Sequence, residues 1–145
     1  MKRKVWAYIV REKEGEQQLL VFEHTDKDAG IQIPAGTVDE GETSEAAMHR
    51  ELLEESGLDV SSFSPLKTIE AVWEGEQVQA HLFASWASQK VADDWTHEVT
   101  GEGEDKGMRF HYYWLPLKEW NKIYDDFKLG REALDDYLLH MRYGH

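Results

Sequence analysis

Three glutamates, Glu51, Glu54 and Glu55, fall within five consecutive residues, directly after Arg50. On a helix advancing about 100° per residue, with Glu51 at zero, Glu54 lies near 300° and Glu55 near 40°, so the three carboxylates share an arc of about 100°. Leu52, Leu53 and Ala46 fall at roughly 100° to 220°, which is where a packing face is expected. Glu51 and Glu55 are like charges four apart, a pair that costs an isolated helix about a few tenths of a kcal/mol. Arg50, four before Glu54, offsets part of that cost. A divalent cation would compensate the rest, and hard carboxylate oxygens suit Mg²⁺ or Mn²⁺ better than zinc. A solvated helix face is the alternative, because charge runs on helices are often only surface.

The elements that position these groups follow from local pattern. Thr43 to Ser56 reads as a helix: Thr43 and Ser44 both suit the N-cap, and Gly57 stands where a left-handed C-terminal residue belongs. Ahead of it, Lys4–Val10 and Gln18–His24 are β-branched and aromatic runs joined through Glu14-Gly15-Glu16, the pattern of a hairpin. Gln32-Ile33-Pro34 is expected as a short or edge strand, since proline lacks the donor a central ladder needs. Thr68–Trp73 and Gln77–Trp86 form a second strand pair across Glu74-Gly75-Glu76. Ala87–Gly107 shows no clear period and is expected as one long acidic loop. Met108–Leu115 returns to strand, closed by Pro116. Leu117–Arg142 is expected to be largely helical with a break near Gly130, laying Leu134, Tyr137, Leu138 and Met141 on the sheet. Strands on either side of one well-marked helix, with a helix at the end, imply a mixed sheet covered on both faces, an α/β or α+β class.

Composition narrows the chemistry further. The 145 residues are the length of one domain, expected to span 1–145. The chain has no cysteine, which excludes disulfides, thiolate metal sites and a cysteine nucleophile. Sixteen Lys and Arg against 29 Asp and Glu leave a formal charge of −13, so duplex nucleic acid is not the expected partner. A small phosphorylated ligand stays in play, because a bound divalent cation reverses the local field. No apolar signal core or membrane-length segment is evident, and a cytoplasmic location with no membrane partner is expected.

The spacing around the glutamates runs Gly36, five residues, Glu42, seven residues, Arg50-Glu51, an aliphatic, one residue, Glu54-Glu55, one residue, Gly57 and an aliphatic, Leu58. This resembles, without exception, the signature of the Nudix hydrolase family. Seven fixed identities at average frequencies would recur at one register by chance about once in 10⁸. Gln32 to Ala35 and Trp114 to Leu117 are also similar to segments common in that family. The resemblance implies an α/β/α sandwich with a mixed sheet, and a Mg²⁺- or Mn²⁺-dependent hydrolase that cleaves the pyrophosphate of a nucleoside diphosphate derivative such as a nucleoside triphosphate, ADP-ribose or a nucleotide sugar. It implies that Glu51, Glu54 and Glu55 hold the metal, that Arg50 orients them, that Glu42 supports the loop or a further metal, and that the Ala35 carbonyl adds a ligand. The family often has glycine where Ala35 stands, which would matter if that position needed positive φ.

The general base is assigned either to Glu51 or to a carboxylate of the acidic loop; Glu98, Glu102, Glu104 and Asp105 are available, with Glu98 favoured. Trp95, in a polar segment, is the aromatic side chain chosen to stack on a base, ahead of Trp6, Tyr8, Trp73 and Trp86, which suit a core. The competing reading is a nucleotide-sensing module without turnover, against which the intact glutamates argue. An isoprenoid diphosphate isomerase fits poorly without a cysteine, and a 5′-end RNA pyrophosphohydrolase is disfavoured by the −13 charge. A homodimer is left open.

Overall fold

A computed structural model describes residues 1–88 and 90–142. Residue 89, within the expected acidic loop, and residues 143–145, at the end of the expected domain, lie outside the described residues. Strands β1 (Lys2–Lys13) and β2 (Glu16–His24) form the first hairpin. Its turn has φ of 54° at Glu14 and 80° at Gly15, a pair of left-handed residues whose twist matches that of the strands they join. Strands β4 (Ser64–Trp73) and β5 (Glu76–Trp86) repeat the device, with 52° at Glu74 and 77° at Gly75.

One sheet runs in the order β4-β5-β1-β2-β7-β6, where β6 is Asp94–Glu98 and β7 is Arg109–Pro116. Strand β1 lies parallel to β5 along one side. Its other side is divided: Val10 to Lys13 pair with β2, while Lys4, Val5 and Trp6 pair with Thr37, Gly36 and Ala35 of the short strand β3 (Ala35–Thr37). That division brings the loop leading into helix α1 (Ser44–Ser56) against the centre of the sheet.

Both faces are covered, as the α/β reading requires. Val5, Ala7 and Ile9 pack with Leu20, Phe22, Phe110 and Tyr112 beneath Met48 and Leu52 of α1. Trp6, Tyr8 and Val10, alternating with them on the same strand, pack with Leu82, Trp120 and Phe127 beneath Leu134 and Leu138 of helix α2 (Arg131–Arg142). Complete burial of both rows of β1 fixes its register, since a slip of one residue would exchange the two faces.

Four expectations change. Gln32 makes only an isolated bridge to Phe22, and the strand itself begins at Ala35, past the proline. The segment Ala87–Gly107 contains β6, paired along its length with β7; its acidic Asp94 and Glu98 point outward and hide the alternation of Trp95 and His97. The C-terminal stretch is two 3₁₀ turns, Leu117–Lys122 and Asp125–Gly130, before α2 begins. On α2 Leu134 and Leu138 are buried, but Met141 is exposed.

Candidate active site

The catalytic candidates hang on the unit β3–loop–α1. The helix starts where Thr43 accepts a hydrogen bond from the Ala46 amide at 3.1 Å, an N-cap that satisfies one of the otherwise unpaired first-turn donors. It stops at Gly57, whose φ of 74° lets its N–H reach the Leu53 carbonyl at 2.9 Å. The buried residues of α1 are Ala47, Met48, Leu52, Glu55 and Ser56, whereas Leu53 is 52% exposed and Ala46 is exposed. The packing face is thus rotated toward the glutamates, and acid and core overlap rather than separate. Glu55 is consequently carried into the interior at 5% exposure.

Arg50 organises the acidic group. Its Nε and Nη2 donate to both oxygens of Glu42 at 2.8 and 2.9 Å, its Nη1 donates to Glu51 and Glu54 at 2.9 Å each, and Nη2 also donates to the Thr37 carbonyl at 2.9 Å. All five guanidinium donors are engaged. The Glu42 hydrogen bonds hold that arginine firmly in its charged form, and the same bonds hold the Glu42 carboxyl below the usual carboxylate range. Glu42 additionally accepts from the Asp39 amide at 3.0 Å, closing the loop.

Glu51 and Glu55 are displaced the opposite way. Burial raises the Glu51 carboxyl, with Arg50 opposing, and burial followed by the neighbouring Glu51 charge pushes Glu55 well above the ordinary range. Among the described residues Glu55 accepts one hydrogen bond, from the Ala35 amide at 3.2 Å. Ala35 is not among the residues with positive φ, so alanine is accommodated there without backbone strain. At Gly36 the requirement is steric: a Cβ would stand 2.1 Å from Glu51 Cδ. Gly101, with φ of 89°, is confined in the same way, since its Cβ would lie 2.0 Å from Glu54 Oε2.

Strand β6 and the loop after it close the other side of the helix. Trp95 Nε1 donates to the Ser56 carbonyl at 2.8 Å, His97 Nε2 lies 3.1 Å from the Glu54 carbonyl, and the Thr100 amide donates to that same oxygen at 3.0 Å. Trp95 is half-buried with one ring face stacked on Tyr112 at 5.2 Å. Because Trp95 and His97 face α1, Glu98 between them and Val99 points to the opposite side of the sheet, exposed and paired in register with Arg109. The structure does not bring Glu98 to the glutamates. Of the loop carboxylates, Asp105 is the one whose charge bears on Glu55 and on Tyr112.

Sequence reasoning missed Lys4 and Tyr112. Lys4 donates to Thr37 Oγ1 at 2.9 Å and is close enough for its ammonium to feel Glu51 and Glu55. Burial lowers its pKa. Nothing local marks it; only the pairing of Lys4 with Thr37 across β1 and β3 does.

Among the described residues no three carboxylate or imidazole groups converge on one point as an ion would require. Arg50 spans Glu51 and Glu54, and Glu55 is turned to Ala35. The donor chemistry nevertheless fits a hard divalent cation: three carboxylates and a backbone segment, no thiolate, and in Glu55 a buried acid that Lys4 alone attracts only weakly against the cost of burial.

Comparison with known proteins agrees with this geometry. The family model for the NUDIX domain matches residues 1–137, and the chain belongs to the Nudix family. An RNA pyrophosphohydrolase of Vibrio atlanticus (strain LGP32) is 30% identical over 102 residues, a match covering 61% of this chain and 59% of that protein's length. The NUDIX domain of Shewanella oneidensis NrtR, solved with ADP ribose, superposes with a TM-score of 0.71 at 15% identity over 94% of this chain and 87% of that one. A C. elegans Ap4A hydrolase also gives 0.71, at 17% identity over 97% and 99% of the two chains. The MutT protein of Methanosarcina mazei Go1 gives 0.66 at 20% identity, over 94% of each. These likenesses establish the fold. Among the described residues no helix is long and apolar enough to cross a membrane.

Proposed function

We propose that this protein is a Mg²⁺- or Mn²⁺-dependent hydrolase that cleaves the pyrophosphate bond of a small nucleoside diphosphate derivative. The observation that carries the reading is the crowding of Glu51, Glu54 and Glu55 around one guanidinium, with Glu55 buried, in a chain matched by the NUDIX domain over residues 1–137. Glu51, Glu54 and Glu55 are the residues that would hold the cation, with the Ala35 carbonyl beside them. When bound, the cation neutralises phosphate charge and makes a water molecule more acidic.

The chain's own residues do the rest. Arg50 and Glu42 fix the helix face against the Thr37 loop, so the backbone that carries the three carboxylates is already in place as substrate arrives. Lys4 offers a half-buried ammonium to a phosphate oxygen. Asp105 accepts the proton of the attacking water as its oxygen bonds to one phosphorus; the bridging P–O bond breaks and its electron pair leaves with the departing phosphate. Glu98, directed away from the helix, is not assigned this role. Trp95 is proposed as a wall of the nucleotide site through its remaining ring surface. The net charge of −13 favours a small nucleotide over an RNA end.

The test is a panel of nucleoside triphosphates, ADP-ribose, nucleotide sugars and dinucleoside polyphosphates incubated with Mg²⁺, Mn²⁺ or EDTA, with products identified by ³¹P NMR. Cleavage at a pyrophosphate bond, abolished by EDTA, supports the reading. Absence of metal-dependent cleavage across the panel overturns it, and tight ligand binding with recovery of intact ligand would replace it with a sensing role.

A further inference from the structure

Tyr112 carries the sole buried side-chain polar atom among the described residues without a hydrogen-bond partner, its hydroxyl oxygen. The ring has no solvent exposure and is held between Trp95, stacked at 5.2 Å and 12°, and Phe22 at 5.1 Å. Its neighbours in the same layer, Phe22 and Phe110, fill space without a polar atom, and a phenylalanine at 112 would do so too. A buried hydroxyl without a protein partner calls for an explanation. Its position supplies one: the register partner of Tyr112 is Trp95, which is bonded to the Ser56 carbonyl, so the phenol lies against the last turn of α1. There the Glu55 charge acts on it, ahead of that of Asp105. Glu55 in turn accepts one hydrogen bond among the described residues, from the Ala35 amide, and carboxylates accept several.

We propose that Tyr112 is a positioning residue for the cation site, its hydroxyl donating to the Glu55 carboxylate once that group faces a divalent ion. The inference rests on the metal-binding reading of Glu55 given above. Partners that orient a ligand in this manner change metal affinity by about 10- to 100-fold when removed.

The full chain with Tyr112→Phe tests it through Mn²⁺ binding, followed by electron paramagnetic resonance of the free ion. The expected result is a 10- to 100-fold weaker Mn²⁺ affinity, with a melting temperature in EDTA equal to or above wild type because an unpaired hydroxyl has been removed. In a Glu55→Gln background, titrated to millimolar Mn²⁺, Tyr112→Phe is expected to have no further effect, whereas in an Asp105→Asn background it keeps its full effect on affinity. Affinity within twofold of wild type, a lowered melting temperature with intact affinity, or coupling to Asp105 in place of Glu55 would each overturn the assignment. Wild-type protein that binds no Mn²⁺ would instead bring down the metal reading itself.

Discussion

Both carboxylate oxygens of Glu42 accept from Arg50, at 2.8 Å from Nε and 2.9 Å from Nη2, eight residues away across the loop that starts the helix. A planar two-pronged donor is needed for this, and a lysine ammonium cannot reproduce it while also reaching Thr37, Glu51 and Glu54. Arg50→Lys is therefore expected to lower stability by about 2 kcal/mol and turnover by at least tenfold, whereas Lys118→Arg, on the exposed surface, changes neither. Thermal melts and steady-state rates on the same preparations check this.

The displaced carboxyls fix the sign of the pH dependence. Glu55 and Glu51 are held above the ordinary glutamate value of 4.5, so between that value and their raised ones the folded protein binds more protons than the unfolded chain, and stability falls as pH rises. Glu42 is held below 4.5, and its contribution is lost on acidification through its depressed value. In EDTA the melting temperature is expected to peak in mildly acidic buffer and to decline toward pH 7.5. Glu55→Gln should flatten that decline and raise the melting temperature at pH 7.5; an unchanged profile in the variant would contradict the assignment.

At Gly36 the cost of a side chain falls on chemistry more than on folding. The Cβ of Gly36→Ala would collide with Glu51 Cδ, at 2.1 Å, and the glutamate is the flexible partner. The expected outcome is a loss of about 1 kcal/mol or less in stability beside a fall of at least 100-fold in kcat, measured by denaturant melts and initial rates.

Glu98 and Asp105 separate two placements of the base. Glu98→Gln is expected to leave kcat within about twofold, since its side chain leaves the sheet on the face away from α1. Asp105→Asn is expected to lower kcat by about 10²-fold while KM changes little. The reverse ranking would return the role to Glu98.

What could be read from sequence divides along physical lines. Gly36 to Leu58 was legible because its determinants are local: cap, carboxylate arc and terminal glycine lie within a few turns of one another, and the Thr43 cap and Gly57 stop are present as expected. The two Glu-Gly turns were legible for the same reason. Which arc of α1 packs was not, because the sheet beneath decides it, and it chose Ala47 and Met48 over Ala46 and Leu53. Strand β6 was hidden because its outer residues are acidic and its inner ones, Trp95 and His97, take their meaning from β7 and α1. Lys4 and Tyr112 enter the site through register alone, a property of strand pairing that no short window of sequence contains.

The most direct trial of metal binding by Glu51, Glu54 and Glu55 is a crystal of the full chain grown with Mn²⁺ and measured for anomalous scattering. The expected result is a manganese peak bounded by carboxylate oxygens of Glu51, Glu54 and Glu55, with Arg50 withdrawn from at least one of Glu51 and Glu54, the two glutamates that its Nη1 bridges. A map at high Mn²⁺ with no peak there, and Arg50 still bridging Glu51 and Glu54, would contradict it.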